Sequence, residues 1–386
     1  MERFIAAGSR DDRNTRLLSW APLFFGAINS YGPINMNYGF ALYFLTYQHG
    51  FVKRGLVGEL LSDVRWLPRT CLVAIEYVFL AAAFALTYIV FRSILFGNLS
   101  ERRIGAALLS APAMLPHLGF LFAQPDVTLY ILLVACVWLF LRARTAIAVA
   151  GSCGLCCVAL LGHEAFCLMF YPLIAGILLH LVVRGRLRWI AAAAHVAAVA
   201  IAFAAVMHWG RLKVSPDTIL AEAQVRTNVG IQRQVFDVMA SGFAEQEALV
   251  RRMYTPGVVR ILVLTLLLTA PYIWLLAQLL NRTLARACAG KVQRVSTLLL
   301  FASPLLLCVL GHDTTRWIGA MCINATLFLL YLYLTEAEGS PARTYLLDWA
   351  NSSSFVLWLV YLVGIGPYGA TGLRTADQIV SAWYGP

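Results

Sequence analysis

Long apolar runs separated by short polar turns set the pattern of this chain. They fall at Leu17–Ile34, Cys71–Phe96, Ile104–Phe122, Val127–Leu141, Ala146–Leu161, Ala165–Val183, Trp189–His208, Val258–Leu280, Val295–Leu310, Ile318–Leu334 and Ser353–Ile365. About 20 helical residues cross the hydrocarbon core of a bilayer. In lipid, a helix satisfies its own backbone polar groups. The pattern therefore predicts an all-α, polytopic transmembrane helix bundle of about 11 spans. Ser30-Tyr31-Gly32-Pro33 breaks the first run.

Two polar stretches are too long to be turns. They place insertions at 48–70 and 210–256 within a single transmembrane domain over 1–386. Phe40–Gln48 and Gly55–Val64 suit short helices lying at the membrane surface. Asp217–Val225 and Arg233–Met253 read as helical in the second insertion. There is no low-complexity linker and no repeat of solenoid period.

Composition agrees and narrows the class. The chain is 60% hydrophobic and 13% charged, against about 45–50% and 25% in soluble domains. That excludes an ordinary soluble enzyme, a disordered chain and a disulfide-stapled mini-protein. The net charge of +11 would suggest nucleic acid in a soluble protein, but membrane proteins leave Lys and Arg in cytoplasmic loops. With a cytoplasmic N-terminus carrying Arg3, Arg10, Arg13 and Arg16, alternation puts inside Arg92, Arg102 and Arg103; Arg142 and Arg144; Arg184, Arg186 and Arg188; and Arg282, Arg286, Lys291 and Arg294. The opposite turns near Gln124–Asp126 and Gly162–Glu164 hold no Lys or Arg, and that near Gly311–Trp317 holds only Arg316. The expectation is a multi-pass protein of a bacterial inner membrane, N-terminus cytoplasmic, with no nucleic-acid partner. The nine cysteines lie almost all inside apolar runs and read as buried membrane cysteines.

The unusual ionisable residues gather on the predicted outer side, where a charge near the membrane is costly and so a functional candidate. Gly162-His163-Glu164 and Gly311-His312-Asp313 echo each other. Each places an acid at a turn that can hardly leave the membrane boundary, as a base, a metal ligand or the partner of an Arg; the competing reading is a merely polar turn. Lys53-Arg54, flanked by glycines and aromatics, suits a phosphate at headgroup level or anchoring to lipid headgroups. Asp126 reads either as a helix N-cap or as a group lining an outer cavity. His49, Glu59 and Asp63 lie in the first insertion. Arg211, Lys213, Arg226, Asn228, Gln232 and Arg233 give the second insertion a basic, amide-rich surface. It is either a solvated face or an acceptor platform. Glu76, within the second run, is expected to pair with a cation. His117, His180, His195 and His208 read as packing or interface residues. There is no HExxH, GxSxG, Walker A or strand-borne GxGxxG motif. Polar residues crowded on one face suit chemistry at the outer interface better than passage through the membrane.

In layout the chain resembles multi-span bacterial glycosyltransferases of the GT-C type. It shares a short cytoplasmic N-terminus, an outer loop with surface helices after the first span, and a Pro-Asp (Pro125-Asp126) at a later outer turn. It is also similar in layout to polysaccharide polymerases of the Wzy type. The resemblance implies glycosyl transfer from a polyprenyl-(pyro)phosphate-linked sugar donor to a glycan or lipid acceptor at the outer face, building surface polysaccharide or glycolipid. A divalent cation (Mg or Mn) is the possible cofactor, and membrane lipid the remaining partner. Lys53, Arg54 and Arg316 are the expected phosphate-binding residues. Asp313 or Glu164 is the expected base, tuned by His312 and His163, with Glu59 also a catalytic candidate. Asp126, His49, Asp63, Arg226 and Arg233 are the candidates for substrate contact. The alternative class is a transporter or flippase for a lipid-linked or anionic substrate.

Overall fold

A computed structural model describes residues 11–30, 36–242, 245, 248, 252, 254–287, 289–309, 313–369 and 372–384. Among them secondary structure is entirely helical, apart from one isolated bridge between Tyr368 and Leu373. Six helices are long and apolar enough to cross a membrane: Arg69–Leu95, Thr145–Gly162, Trp189–Trp209, Pro256–Arg286, Lys291–Cys308 and Thr314–Thr335. The pair Pro341–Asn351 and Phe355–Gly364, bent by 77°, makes a seventh if counted as one span. The chain thus reads as a multi-pass membrane protein.

The remaining apolar runs take shorter forms. Val127–Leu141 lies in the helix Asp126–Arg142, and Ala165–Val183 divides into Phe166–Met169 and Tyr171–Val183. Ile104–Phe122 is not one helix but two, Leu99–Leu109 and Leu115–Phe120. Pro112 and Pro116 lie at that break; proline has no N–H to give a continuing helix and clashes with the preceding turn. The helix Asp11–Asn29 packs on this pair.

Two of these helices contrast in hydropathy and burial. Trp189–Trp209 has mean hydropathy 2.3 and is 17% buried, whereas Thr314–Thr335 has 1.7 and is 83% buried. A helix facing lipid must be apolar all round, whereas one enclosed by other helices need not be. Thr314–Thr335 is that central post. It packs against Asp126–Arg142, Tyr171–Val183, Pro256–Arg286 and Lys291–Ala302, and it accommodates Arg316, Asn324 and Thr326 in its length. The Asn324 side-chain amide donates to the Met169 carbonyl at 2.7 Å.

The post also sorts the charges. At about 1.5 Å per residue its ends are about 33 Å apart. Its C-terminal end meets a cationic rim: Glu336 pairs with Arg184, and nearby Arg343 pairs with Glu101 at 2.8 Å and stacks on Tyr333 at 4.6 Å. Arg142 closes a helix whose other end, Asp126, lies beside Arg316. Arg286 ends the helix that begins beside Tyr254, which bonds Thr314. These cations therefore share the end of the bundle away from Arg316.

At the Arg316 end the two insertions form one body. Lys53 N–H donates to Gly210 O at 2.8 Å, Leu67 N–H to Arg226 O at 2.7 Å, and Thr227 Oγ1 to Leu67 O at 2.6 Å. The first insertion holds Leu56–Leu60, and the stretch leading into it holds Met36–Ala41 and a 3-10 turn Leu42–Phe44. Phe40–Leu45 is at most 7% exposed, so this stretch is packed inside the protein and does not lie on a lipid surface. The second insertion holds Pro216–Arg226, capped by Ser215, and Arg233–Ala240. Most of 243–253 lies outside the described residues.

Candidate functional site

Four chain segments bring buried charge together at this end. Arg54 lies in the turn before Leu56–Leu60, with its backbone in the left-handed region (φ 63°). A non-glycine residue pays roughly 1–2 kcal/mol for that conformation, and what holds it there is Glu164. Arg54 Nε donates to Oε2 at 2.9 Å and Nη2 to Oε1 at 2.5 Å. Lys53 Nζ lies 3.7 Å from the same Oε1.

Glu164 owes its position to the end of Thr145–Gly162. His163 leaves the helix in extended conformation. Its Nδ1 accepts the Ala165 N–H at 3.1 Å, which places the ring proton on Nε2 in the neutral form. Burial, then repulsion by Arg54, holds the His163 pKa well below its usual value, despite Glu164 nearby. Burial alone would raise Glu164, but Arg54, with Lys53, outweighs it and holds the carboxyl well below the usual range. Burial lowers Lys53, opposed by Glu164 and reinforced by Arg54 and Arg211.

The second pair is assembled by the central post. Arg316, in its first turn, meets Asp126 through Nε–Oδ1 at 2.9 Å and Nη2–Oδ2 at 2.7 Å. Its Nη1 donates to Asp313 Oδ2 at 2.8 Å. Asp126 is fully buried. It is not an N-cap: Pro125 holds that position without a side-chain bond, and Asp126 is the first helical residue. A carboxylate with a guanidinium in reach gains more from that ion pair than from backbone N–H groups alone. The turn that aims it contains Ala123 in left-handed backbone (φ 63°). Gly39 lies against that turn, where a Cβ would stand 1.6 Å from Ala123 O.

The two pairs are neighbours. Arg54 and Arg316 lie close enough to repel each other, and Tyr38 lies within electrostatic reach of both. Lys53, Arg54 and Arg316 thus face Glu164, Asp126 and Asp313, a cluster balanced in sign. The side chains differ in access: Asp313 is 24% exposed, Glu164 12% and Asp126 1%.

Other candidates lie outside this cluster. Glu59 accepts the Tyr47 N–H at 2.7 Å and shapes its own loop. Asp63 is exposed. His49 pairs with Glu222 at 2.9 Å. Arg226 ties the insertions through Leu61 O and Val64 O. Arg233 pairs with Asp217 and Asp237. His312 lies outside the described residues. Glu76 is bonded by the Tyr43 hydroxyl at 2.6 Å, a phenol where a cation was expected; a buried carboxyl can be satisfied by any donor. Sequence reasoning missed Tyr38, which carries no motif. His117 is buried, in keeping with a packing residue; it lies within electrostatic reach of Asp126 and Arg316 and is bonded through Nδ1 to Tyr368 O at 2.8 Å.

For a divalent cation the donors do not fit. Among the described residues no three His, Cys, Asp or Glu side chains converge. The cluster's carboxylates face guanidinium groups at 2.5–2.9 Å, where a metal ion on the same oxygens would meet a like charge. What the cluster offers is two rigid guanidinium forks, an accessible carboxylate and a neutral imidazole. The chain matches no protein-family model, no curated protein and no solved structure.

Proposed function

We propose that the chain is a glycosyl-transferring enzyme of the bacterial inner membrane, with about eleven membrane passes when shorter and broken helices are counted. It would take a polyprenyl-(pyro)phosphate-linked sugar at the outer, periplasmic face and pass it to a glycan or lipid acceptor. The observation that carries this reading is the concentration of buried Arg–carboxylate pairs and a neutral His at one end of the bundle, with the cationic rim at the other. The positive-inside rule would place that rim in the cytoplasm.

In this reading Asp313, the most accessible acid of the cluster, takes the proton of the acceptor hydroxyl. Arg316 and Arg54 stabilise the departing phosphate through guanidinium donors beyond those held by carboxylates. Glu164, pinned by Arg54 and with its carboxyl held low, is a poor base and a good positioning group. His163 Nε2–H is a neutral donor beside it.

A positioned general base contributes about 10²–10⁴-fold. Asp313→Ala should lower turnover with a polyprenyl-pyrophosphate sugar by that factor while donor binding holds, and Arg54→Ala should weaken both. Undiminished turnover in both variants would overturn the assignment. A second reading, a transporter or flippase, is favoured by one feature: ion pairs that tie separate segments across a mouth resemble a closed gate. It predicts that the same variants change flux of a labelled lipid-linked sugar across vesicles with no glycosyl product at all.

A further inference from the structure

Beyond the buried pairs lie cations with no carboxylate partner among the described residues. Arg211 and Lys213 are exposed, and among the described residues no carboxylate comes within 4 Å of either. The bond from Lys53 N–H to Gly210 O brings them beside Lys53, and Leu212 N–H to Met239 O, 3.2 Å, fixes the stretch to the second insertion. Three glycines wall the group. A Cβ on Gly50 would stand 3.4 Å from Lys213 Nζ, one on Gly242 3.3 Å from Arg211 Nη2, and one on Gly210 3.0 Å from Lys53 Cβ. Backbone thus lines these cations where side chains would crowd them. Glu245, on the same loop, accepts the Gly242 N–H at 2.8 Å.

An apolar lane leads to this spot. The last turns of Trp189–Trp209 carry a shallow groove of about 700 Å³ lined by Ile201, Ala204, Ala205, Met207, His208 and Trp209. Ile201 is 70% exposed and Trp209 61%. Gly210 and Arg211 follow Trp209, the last of its lining residues, in the chain. An apolar track beside cations that pair with no carboxylate among the described residues complements a molecule with a long apolar tail and an anionic head.

The geometry points to a docking lane for a lipid phosphate: the tail along Ile201–Trp209, the phosphate on Arg211 and Lys213 with Lys53 behind them. The occupant is a long-chain anionic lipid, and the inference rests on the membrane setting proposed above but not on glycosyl transfer. Arg54 and Arg316, tied to carboxylates, then act at the reacting end, with the resting phosphate seated one step further out.

The test uses the full chain in phosphatidylcholine nanodiscs with brominated phosphatidylglycerol as the probe. The difference between wild type and Trp209→Phe isolates the Trp209 emission. Trp209 should be quenched at far lower brominated phosphatidylglycerol than brominated phosphatidylcholine. At about 1 kcal/mol per surface cation, Arg211→Gln with Lys213→Gln should weaken that preference roughly thirtyfold. Both side chains are exposed, so the double variant keeps its fold, checked by an unchanged helical spectrum. Equal quenching by the two lipids, or a preference untouched by the double variant, overturns the proposal. Displacement of the lipid by inorganic pyrophosphate but not by chloride of equal ionic strength supports a phosphate seat; no displacement by either supports one that also requires the tail. Displacement by both alike reduces the attraction to surface charge and overturns the seat. Each outcome is read without any turnover assay, so failure of the lane and failure of the enzymatic reading are separately visible.

Discussion

Glu164→Gln removes the carboxylate that holds both Arg54 and Lys53, and its consequences should differ from those of Arg54→Gln. The side chains of Arg54 and Glu164 are 11% and 12% exposed, so solvent screens them little. Removing one partner of a buried pair typically costs about 3–5 kcal/mol. Without Glu164, Arg54 cannot discharge by losing a proton, and Arg316 still repels it, so the full cost applies. Without Arg54, Glu164 keeps Lys53 at 3.7 Å and can take up a proton. The loss is then closer to that of hydrogen bonds to a charged group, about 1.5–3 kcal/mol. The double variant should cost no more than about the Arg54→Gln single, so the pair couples by several kcal/mol. Equilibrium unfolding in mixed detergent micelles with increasing dodecyl sulfate, followed by far-UV circular dichroism, measures all three. A larger loss in Arg54→Gln than in Glu164→Gln, or singles that add to within about 0.5 kcal/mol, would refute the pairing.

The same pair sets an acid response. The folded Glu164 carboxyl is depressed, so its stabilisation is present above the unfolded carboxyl's range and is lost as pH falls through the lower folded value. Wild type should therefore lose stability progressively as pH falls below the unfolded carboxyl's range, and Arg54→Gln, whose carboxyl is less depressed, should show a smaller acid-linked loss in the same titration. His195→Leu removes two bonds within the membrane, to Ser152 Oγ and to the Tyr171 hydroxyl, each 3.1 Å. At about 0.6–1.7 kcal/mol each, micelle unfolding should show a loss of roughly 1–3 kcal/mol. Gly39→Ala puts a Cβ on a backbone oxygen and should yield no monodisperse protein on size exclusion. Gly154→Ala, with nothing within 4 Å of the added carbon, should elute as wild type does.

That the site's buried charges share one end of the bundle was legible in the sequence, but their pairing was not. Counting spans and sorting Lys and Arg by side placed Arg54, Asp126, Glu164, Asp313 and Arg316 at one end, because a crossing helix fixes which end each terminus occupies. The partners stayed hidden: Arg316 and Asp126 are 190 residues apart, and periodicity gives a helix a face without naming its neighbour. Asp126 had the look of a cap because Pro-Asp at a helix start usually is one; the guanidinium that captures it comes from a different helix. Glu76 found Tyr43 for the same reason. The burial of Phe40–Leu45 was illegible too, since an aromatic, apolar stretch suits a lipid surface and a protein interior alike. His195 gave a faint signal, a lone ionisable residue in an apolar run, but nothing local pointed to Ser152 and Tyr171.

The burial of Thr314–Thr335 has a consequence for biogenesis. A ribosome delivers this helix after Asp126–Arg142 and the other helices that precede it, yet among the described spans it is the most buried. Its Arg316 finds Asp126, made long before. Before the post is made, Asp126 therefore lacks the guanidinium that pairs with it in the finished fold. Until that moment the site does not exist. A chain truncated before residue 314 should be inserted yet open to proteases, and supplying the missing helix as a separate fragment should close it.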